Sequence, residues 1–284
     1  MSLAVTDAPV DSALKVCVEF ASAEFNHSDG SIANPTFDFD PPRQIDLLTL
    51  QGSDSAALLL GEEMAAGNYN WIRLGVNAPR GAPTLSDDSG AGEPCVAGGS
   101  YIKLDSGVVH NLFIPSGSQS GLQLNRGFTL PAGGNASFTV DFDLRKSITA
   151  PPGQSPDYMM RPTLRLVDNA AAGSLVGGVL PQLVTDSCTT GEPVVYVFSG
   201  SVTPDDYDGD EGDALTSAMV TSDDNGVSYS YEVGFLAAGD YTAAFTCDAD
   251  DVEADEVITF LPADGVQFSL AADEVKVQDF PPAP

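Results

Sequence analysis

From Leu166 to Val275 the chain contains no lysine or arginine, although the same 110 residues carry 22 aspartates and glutamates. Over all 284 residues, 11 basic side chains stand against 41 acidic ones, a formal net charge of −30. A surface this negative repels phosphate backbones and anionic lipid head groups, which argues against nucleic-acid and membrane-surface roles. Cations and neutral ligands remain as partners. Long apolar runs are missing too: no stretch of about 18 apolar residues exists, so no transmembrane segment is expected. The N-terminus has no basic and apolar leader, so Met1 reads as a trimmed or engineered start with any lipid anchor upstream of Ser2. Histidine is scarce, with only His27 and His110. Neither a G-x-S-x-G elbow nor an H-E-x-x-H helix accompanies them, and both sit beside polar residues, as surface or loop histidines do. Glycine-rich phosphate loops are absent. A carboxylate pair for glycoside hydrolysis has no linear signature, because the separation that defines it is tertiary.

The four cysteines, Cys17, Cys95, Cys188 and Cys247, include no C-x-x-C or other zinc spacing. Two fall in each half of the chain, which suggests Cys17 with Cys95 and Cys188 with Cys247. Disulfides imply an oxidising compartment; buried reduced thiols are the alternative.

What the chain does contain is turn and strand. Hydrophobic content is 43% and charged content 18%, with 28 glycines and 20 prolines, too apolar for disorder and too turn-rich for a helical bundle. Residues 1–170 carry a net −9 and residues 171–284 a net −21, so two domains with those bounds are expected. The expected fold class is all-β, two tandem β-sandwiches of Ig-like or transthyretin-like type. The hydrophobic period is two: Phe138, Val140, Phe142 and Leu144 form one strand face, Tyr229, Tyr231, Val233 and Phe235 another. Val16, Val18 and Phe20 form a third, whose phase leaves Cys17 on the opposite face, suited to a bond with Cys95 in a covering loop. Cys247 falls on one face with Tyr241, Ala243 and Phe245, where it could staple two sheets.

One motif occurs three times, as Met64-Ala-Ala-Gly-Asn-Tyr69, Leu130-Pro-Ala-Gly-Gly-Asn135 and Leu236-Ala-Ala-Gly-Asp-Tyr241. Each precedes a strand pattern and reads as a recurring sandwich corner, with the glycine turning the chain. Ser53 to Glu63 is the best helix candidate. Residues 77–100 and 147–158 read as long loops. Asn169 to Gly178, small and flexible in composition, reads as the domain boundary, and Asp223-Asp-Asn-Gly226 as a hairpin turn.

Three groups of residues carry a resemblance: Ala4-Val-Thr-Asp-Ala-Pro-Val-Asp11; Ile45-Asp-Leu-Leu-Thr-Leu-Gln-Gly52 with Ala66-Gly-Asn-Tyr-Asn-Trp-Ile-Arg-Leu74; and Phe142-Asp-Leu-Arg-Lys-Ser147 with Arg161-Pro-Thr-Leu-Arg-Leu166. Together they resemble an uncharacterised domain family of secreted proteins and lipoproteins from bacteria and some archaea, over about residues 1–168. The resemblance implies an exported β-sandwich at the periplasm, outer membrane or cell surface, with no assigned activity; no lipobox cysteine stands in this sequence. The second half is similar to transthyretin-like or carboxypeptidase-regulatory-like sandwich modules through Tyr229 to Tyr241.

The sharpest candidate for chemistry is Asp205, Asp206, Asp208, Asp210, Glu211 and Asp213, six carboxylates in nine residues with two glycines. Hard cations such as Ca²⁺ want six to eight oxygens, and such a loop can supply them. It is no EF-hand, since Glu211 takes the turn-glycine position and Ser217 the place of the bidentate glutamate. A solvated acidic turn is the competing reading. A second acidic stretch, Asp248, Asp250, Asp251, Glu253, Asp255 and Glu256, follows Cys247. Trp71, the only tryptophan, lies opposite Ile72 and Leu74 and reads as a sandwich-core residue, with stacking on a sugar ring as the alternative. The expected function is a non-catalytic exported module that binds a protein or glycan at the cell surface, with calcium stiffening the second domain. A structural subunit of a surface assembly and a carboxylate-based glycan hydrolase are the rivals.

Overall fold

Residues that alternate with a period of two become strands nearly throughout. The structure is a computed structural model, and it describes residues 1–8, 13–81, 84–115, 121–150, 156–161, 163–189, 191–209, 212–222, 225–248, 250 and 255–280. Two compact units emerge, one of Met1–Leu50 with Asp54–Leu166, the other of Gln51–Ser53 with Val167–Pro284.

In the first half the strands are β1 (Ser2–Ala8), β2 (Ala13–His27), β3 (Thr36–Asp46), β4 (Ala56–Leu59), β5 (Gly67–Val76), β6 (Tyr101–Leu104) and β7 (Val109–Phe113). They continue as β8 (Leu122–Leu124), β9 (Phe128–Leu130), β10 (Ser137–Asp143), β11 (Ile148–Thr149), β12 (Tyr158–Met160) and β13 (Leu164–Asp168), with a 3-10 turn at Leu47–Thr49 and an α-helical turn, α1 (Leu144–Ser147). Among the described residues one sheet runs β13-β10-β1-β4; the other runs β11-β12-β7-β6-β2-β5-β8, with β3 on β2 and β9 on β5. Leu3, Val5, Phe138, Val140 and Phe142 from the first sheet pack with Val16, Val18, Phe20, Phe25, Ile72 and Leu74 from the second. Each such side chain contributes about 1.5–3 kcal/mol on burial. Both faces of β10 are buried, not one: Thr139 and Asp141 are covered like their apolar neighbours.

Ser53 to Glu63 is not a helix. Ala56–Leu59 extends as β4 and pairs antiparallel with β1 through Leu3↔Leu59, Ala4↔Ala57 and Val5↔Ala56. A segment this short gains little from helix formation alone, and edge pairing outweighs its propensity.

The second unit holds β14 (Ala172–Val179), α2 (Pro181–Ser187), β15 (Val194–Ser199), β16 (Thr216–Met219), β17 (Tyr229–Ala237), β18 (Gly239–Thr246), β19 (Leu261–Leu270) and β20 (Val275–Val277). Its sheets run β17-β14-β20 and β16-β15-β18-β19. The stretch expected as a flexible boundary is strand β14. Its glycines serve close packing: a Cβ on Gly177 would lie 1.8 Å from the Gln278 carbonyl oxygen. The hairpin turn keeps Asn225 and Gly226 at φ of 60° and 86°, as a two-residue turn between twisted strands requires; Asp223 and Asp224 lie outside the described residues. In β17 the alternation slips near its end, so Leu236 is buried and Phe235 is only partly covered.

Both cysteine pairs are bonded, Cys17 to Cys95 and Cys188 to Cys247, with Cα separations of 6.0 and 4.9 Å. The second ties the C-cap of α2 to the end of β18 rather than one sheet to the other, because the segment opposite Cys247 is helical.

Two of the three repeated corners share a bond. The Tyr69 hydroxyl donates to the Ala65 carbonyl at 2.8 Å and the Tyr241 hydroxyl to the Ala237 carbonyl at 2.6 Å, the arrangement of a tyrosine corner. At the first, Gly67 has φ +144° and a Cβ there would sit 2.6 Å from His27 Nε2. His27 is accordingly a buried residue of the β2 end and not a surface one: its Nδ1 accepts from the Asp29 N–H at 3.0 Å. Tyr69→Phe and Tyr241→Phe are each expected to lower stability by about 0.5–1.5 kcal/mol, read as reduced urea midpoints at unchanged slope.

Residues 84–99 form a strap over part of the outer face of the larger sheet, the face bearing Lys15, Cys17, Glu19, Tyr101 and Lys103. Lys15 and Lys103 are direct cross-strand partners, and their like charges are tolerated because the strap satisfies both. Lys15 Nζ meets Asp87 at 3.2 Å with both side chains fully buried, and donates to Ser89 Oγ at 2.6 Å. Lys103 Nζ donates to the carbonyls of Asp87 and Ser89 at 2.7 and 2.6 Å. Tyr101 donates to Asp87 at 2.7 Å, and Glu19 accepts the Gly98 and Gly99 N–H groups at 2.8 and 3.2 Å. Burial by itself would raise the Asp87 carboxyl, but hydrogen bonds from Ser89, Tyr101 and Lys15 outweigh it and hold the group well below the usual carboxylate range. The folded value lies under the unfolded one, so this stabilisation is complete above about pH 4 and is lost as pH falls towards the depressed folded value. Asp87→Ala should cost about 3–5 kcal/mol at neutral pH by leaving Lys15 buried without its counter-charge. Denaturant melts of both proteins between pH 7 and 2 should show the gap shrinking in acid.

Candidate binding face and acidic clusters

Beyond the strap, the outer face of β2, β5 and β8 stays open. Its positions follow from register: Glu24↔Arg73 and Asn26↔Trp71 between β2 and β5, then Arg73↔Gln123 between β5 and β8. Trp71 is therefore not a core residue. It is partly exposed, with the Arg73 guanidinium 4.7 Å from its ring centroid. A chain of hydrogen bonds crosses the strands beside it. Asn70 donates to Asn26 at 2.9 Å, Asn26 to Asn34 at 3.1 Å, and Asn34 to Glu24 at 3.3 Å. Arg73 bridges Glu24 at 3.2 Å and Gln123 at 2.9 Å, and Gln123 donates to Asn125 at 2.6 Å. Each amide has four hydrogen-bonding sites and uses only some of them in this network, so the face offers oriented donors and acceptors to a ligand. Pattern alone identified Trp71 and its phase; the amides come from separate strands and a loop, and only pairing gathers them.

In the second unit the acidic loops form a cover. Tyr207 and Phe260 pack against Tyr196 and Phe198 on the outer face of the β16-β15-β18-β19 sheet. Of the expected ligands, Asp206 is buried and Asp208 partly so; Asp210 and Glu211 lie outside the described residues. Asp206 and Asp208 each place a carboxylate oxygen within 4.8 Å of the other and of one from Asp255. The cluster thus joins the two acidic stretches. Asp205 and Asp213 do other work: Asp205 accepts from the Asp206 N–H at 3.2 Å, and Asp213 from the N–H groups of Asp208 and Gly209 at 3.2 and 3.4 Å. Burial first, then the charges of Asp206 and Asp208, raise the Asp205 carboxyl from its ordinary value. Asp250 accepts from the Tyr196 hydroxyl at 2.8 Å and the Tyr207 N–H at 3.2 Å; Asp251 and Glu253 lie outside the described residues. Asp206 also accepts the Glu256 N–H at 2.5 Å, which locks one loop to the other.

A third set of acids, at one end of the first unit, has no counterpart among the sequence candidates. Burial, and then the charges of Asp141, Asp143 and Asp46, raise the Asp7 carboxyl well above its ordinary value. Burial likewise raises Asp46 and pushes Asp143 up to about 6. The available signal was that all three stand inside the segments quoted for the family resemblance.

The family called Domain of unknown function (DUF4382) matches residues 1–162, and the chain belongs to it. No curated protein matches the chain in sequence. Among solved structures, a candidate adhesin from Bacteroides ovatus ATCC 8483 is 7% identical, over 100% of this chain and 94% of that one, at a TM-score of 0.20. A second candidate adhesin from Bacteroides ovatus is 9% identical over 98% and 88%, at 0.21. The minor pilin of Streptococcus agalactiae is 8% identical over 100% and 98%, at 0.15. Likeness at this level carries nothing about activity. Among the described residues no helix is long and apolar enough to cross a membrane.

Proposed function

We propose that the protein is a non-catalytic exported module that binds a neutral glycan on the open outer face of β2, β5 and β8, with calcium stiffening the second unit. The observation that carries the reading is the Trp71–Arg73 stack set in a cross-strand ladder of Asn26, Asn34, Asn70 and Gln123. A pyranose presents hydroxyls at its rim and an apolar C–H face, which suit amide donors and acceptors beside an aromatic ring. The net charge of −30 disfavours anionic polymers. The two disulfides support an oxidising, extracytoplasmic setting.

Affinity electrophoresis through gels containing soluble neutral polysaccharides tests the first part. Trp71→Ala should weaken retardation at least about tenfold, equivalent to about 1.4 kcal/mol, while leaving the melting temperature close to wild type. Unchanged retardation by the variant sinks this face as the site.

For the second part, hard oxygen ligands from Asp206, Asp208 and Asp255 suit Ca²⁺. Calcium at about 100 times its dissociation constant should stabilise by about 2.7 kcal/mol. Thermal melts in calcium, magnesium and chelator at one ionic strength should separate for wild type, and the calcium increment should fall in Asp206→Asn. Coincident wild-type curves would rule the ion out.

A further inference from the structure

The strap over the larger sheet is anchored on both sides of Cys95. Before it, Asp87 and Ser89 are held by Lys15 and Lys103; after it, the Gly98 and Gly99 N–H groups donate to Glu19. The Cys17–Cys95 disulfide lies between these anchors, so opening it leaves the strap attached. Its two sulfurs belong to residues of different access: Cys17 on β2 is 0% exposed, whereas Cys95 is partly exposed.

Asp46 stands beside this bond. It is the last residue of β3 and the direct cross-strand partner of Cys17. Cys17 Sγ, Cys95 Sγ and a carboxylate oxygen of Asp46 all lie within 4.8 Å of one another. Sulfurs already bonded to each other offer a metal no thiolate, so the juxtaposition points to the chemistry of the disulfide itself. Asp46 is 8% exposed, and its Oδ1 accepts from the Val16 and Leu48 N–H groups at 3.1 and 3.3 Å. Its Oδ2 is buried and has no hydrogen-bond partner among the described residues. An open oxygen of this kind is costly in a carboxylate and far less so when it carries a proton. Burial is the largest influence on the group and holds it above its ordinary value, against the pull of the two N–H groups. Of the charges around it, Lys15 of β2 favours the ionised form, while Asp87 of the strap and Asp7 of β1 oppose it; the Tyr101 hydroxyl of β6 faces the same carboxylate. Among the described residues no carboxylate joins the Cys188–Cys247 pair in this way.

We propose that Cys17–Cys95 is a thiol-exchange site, at which an external thiol enters through Cys95 and Asp46 protonates the Cys17 sulfur as it leaves. The attacking thiolate bonds to Cys95 Sγ, the Cys95–Cys17 bond breaks, and its electron pair goes to Cys17 Sγ, which takes the proton from Asp46 Oδ2. A second external thiolate attacks the sulfur that Cys95 received and releases the Cys95 thiolate. Two external thiols are thereby oxidised to one disulfide, and the cystine is reduced to two cysteines. In the reverse direction the Asp46 carboxylate takes the proton back from Cys17. A buried leaving sulfur gains most from such a donor, because an apolar setting disfavours the thiolate. With a net charge of −30, the substrate class is a neutral or cationic thiol.

Cysteamine, a small cationic thiol, added to the oxidised full chain tests this. Samples taken from about pH 8 to about pH 5 are quenched in acid, alkylated and mapped by peptide mass, and rates are divided by the reagent's thiolate fraction. The expected product carries cysteamine on Cys95 and the alkyl group on Cys17. The normalised wild-type rate should rise at least about tenfold as pH falls and the donor form of Asp46 fills. Asp46→Asn, whose amide oxygen still accepts from Val16 and Leu48, should lose that rise with its circular dichroism unchanged. Cys188–Cys247 in the same molecules is the internal reference and should show no rise, a comparison that stands on wild type alone should Asp46→Asn not fold. The proposal is overturned by no adduct, by cysteamine on Cys17, or by a normalised wild-type rate that is flat with pH. An equal rise in folded Asp46→Asn, or at Cys188–Cys247, overturns it as well.

Discussion

A β-sheet has two faces, and a sandwich uses only one of them. In both units part of the other face of the central strands is too apolar or too charged to be left bare, and where it is covered and where it is not shapes the rest of the structure. In the first unit the cover is the strap, held by Cys17–Cys95 and by the Lys15, Lys103 and Asp87 network. In the second it is the pair of acidic loops, anchored by Tyr207 and Phe260 on Tyr196 and Phe198. Each cover also defines a candidate site, the strap by where it stops and the loops by what they bring together.

Charge follows the same logic. The base-free stretch reads along the chain as a uniform acidic field, yet its carboxylates are put to separate uses. Asp213 and Asp250 accept backbone N–H groups and organise the loops, whereas Asp206, Asp208 and Asp255 face one another. Repulsion in that group is offset by the apolar cover beneath it and by hydrogen bonds such as that from Glu256 N–H to Asp206. The first unit is nearer balance, and within it Asp7 is buried near Asp141, Asp143 and Asp46, all of its own sign.

Much of this was legible in the pattern of residues. The phase of Cys17 against Val16 and Val18 placed it on the outer face opposite a covering loop, and it is bonded there to Cys95. Asn225-Gly226 announced its turn, and two of the three glycine motifs are tyrosine corners. The misreadings share a cause. Ser53 to Glu63 has helical composition but a neighbour in β1 with unpaired backbone groups; Asn169 to Gly178 has linker composition but glycines sized for the Gln278 backbone. Trp71 was placed in the core by amino-acid type, while its strand phase pointed outward. His27 was placed at the surface by its polar neighbours, while the corner at Gly67 encloses it.

The strongly alternating strands such as β2, β10, β17 and β18, the cysteine pairing and the sign of the field could be read from the chain alone, because alternation, residue chemistry and charge count are local or additive. Tertiary structure alone decided which carboxylates meet and which stand without a partner. Asp206 and Asp255 lie in different loops, and Asn26, Asn70 and Gln123 on three strands. Coordination and hydrogen bonding depend on separations of a few ångströms, and those are fixed by strand register and loop closure across tens of residues, which no linear spacing records.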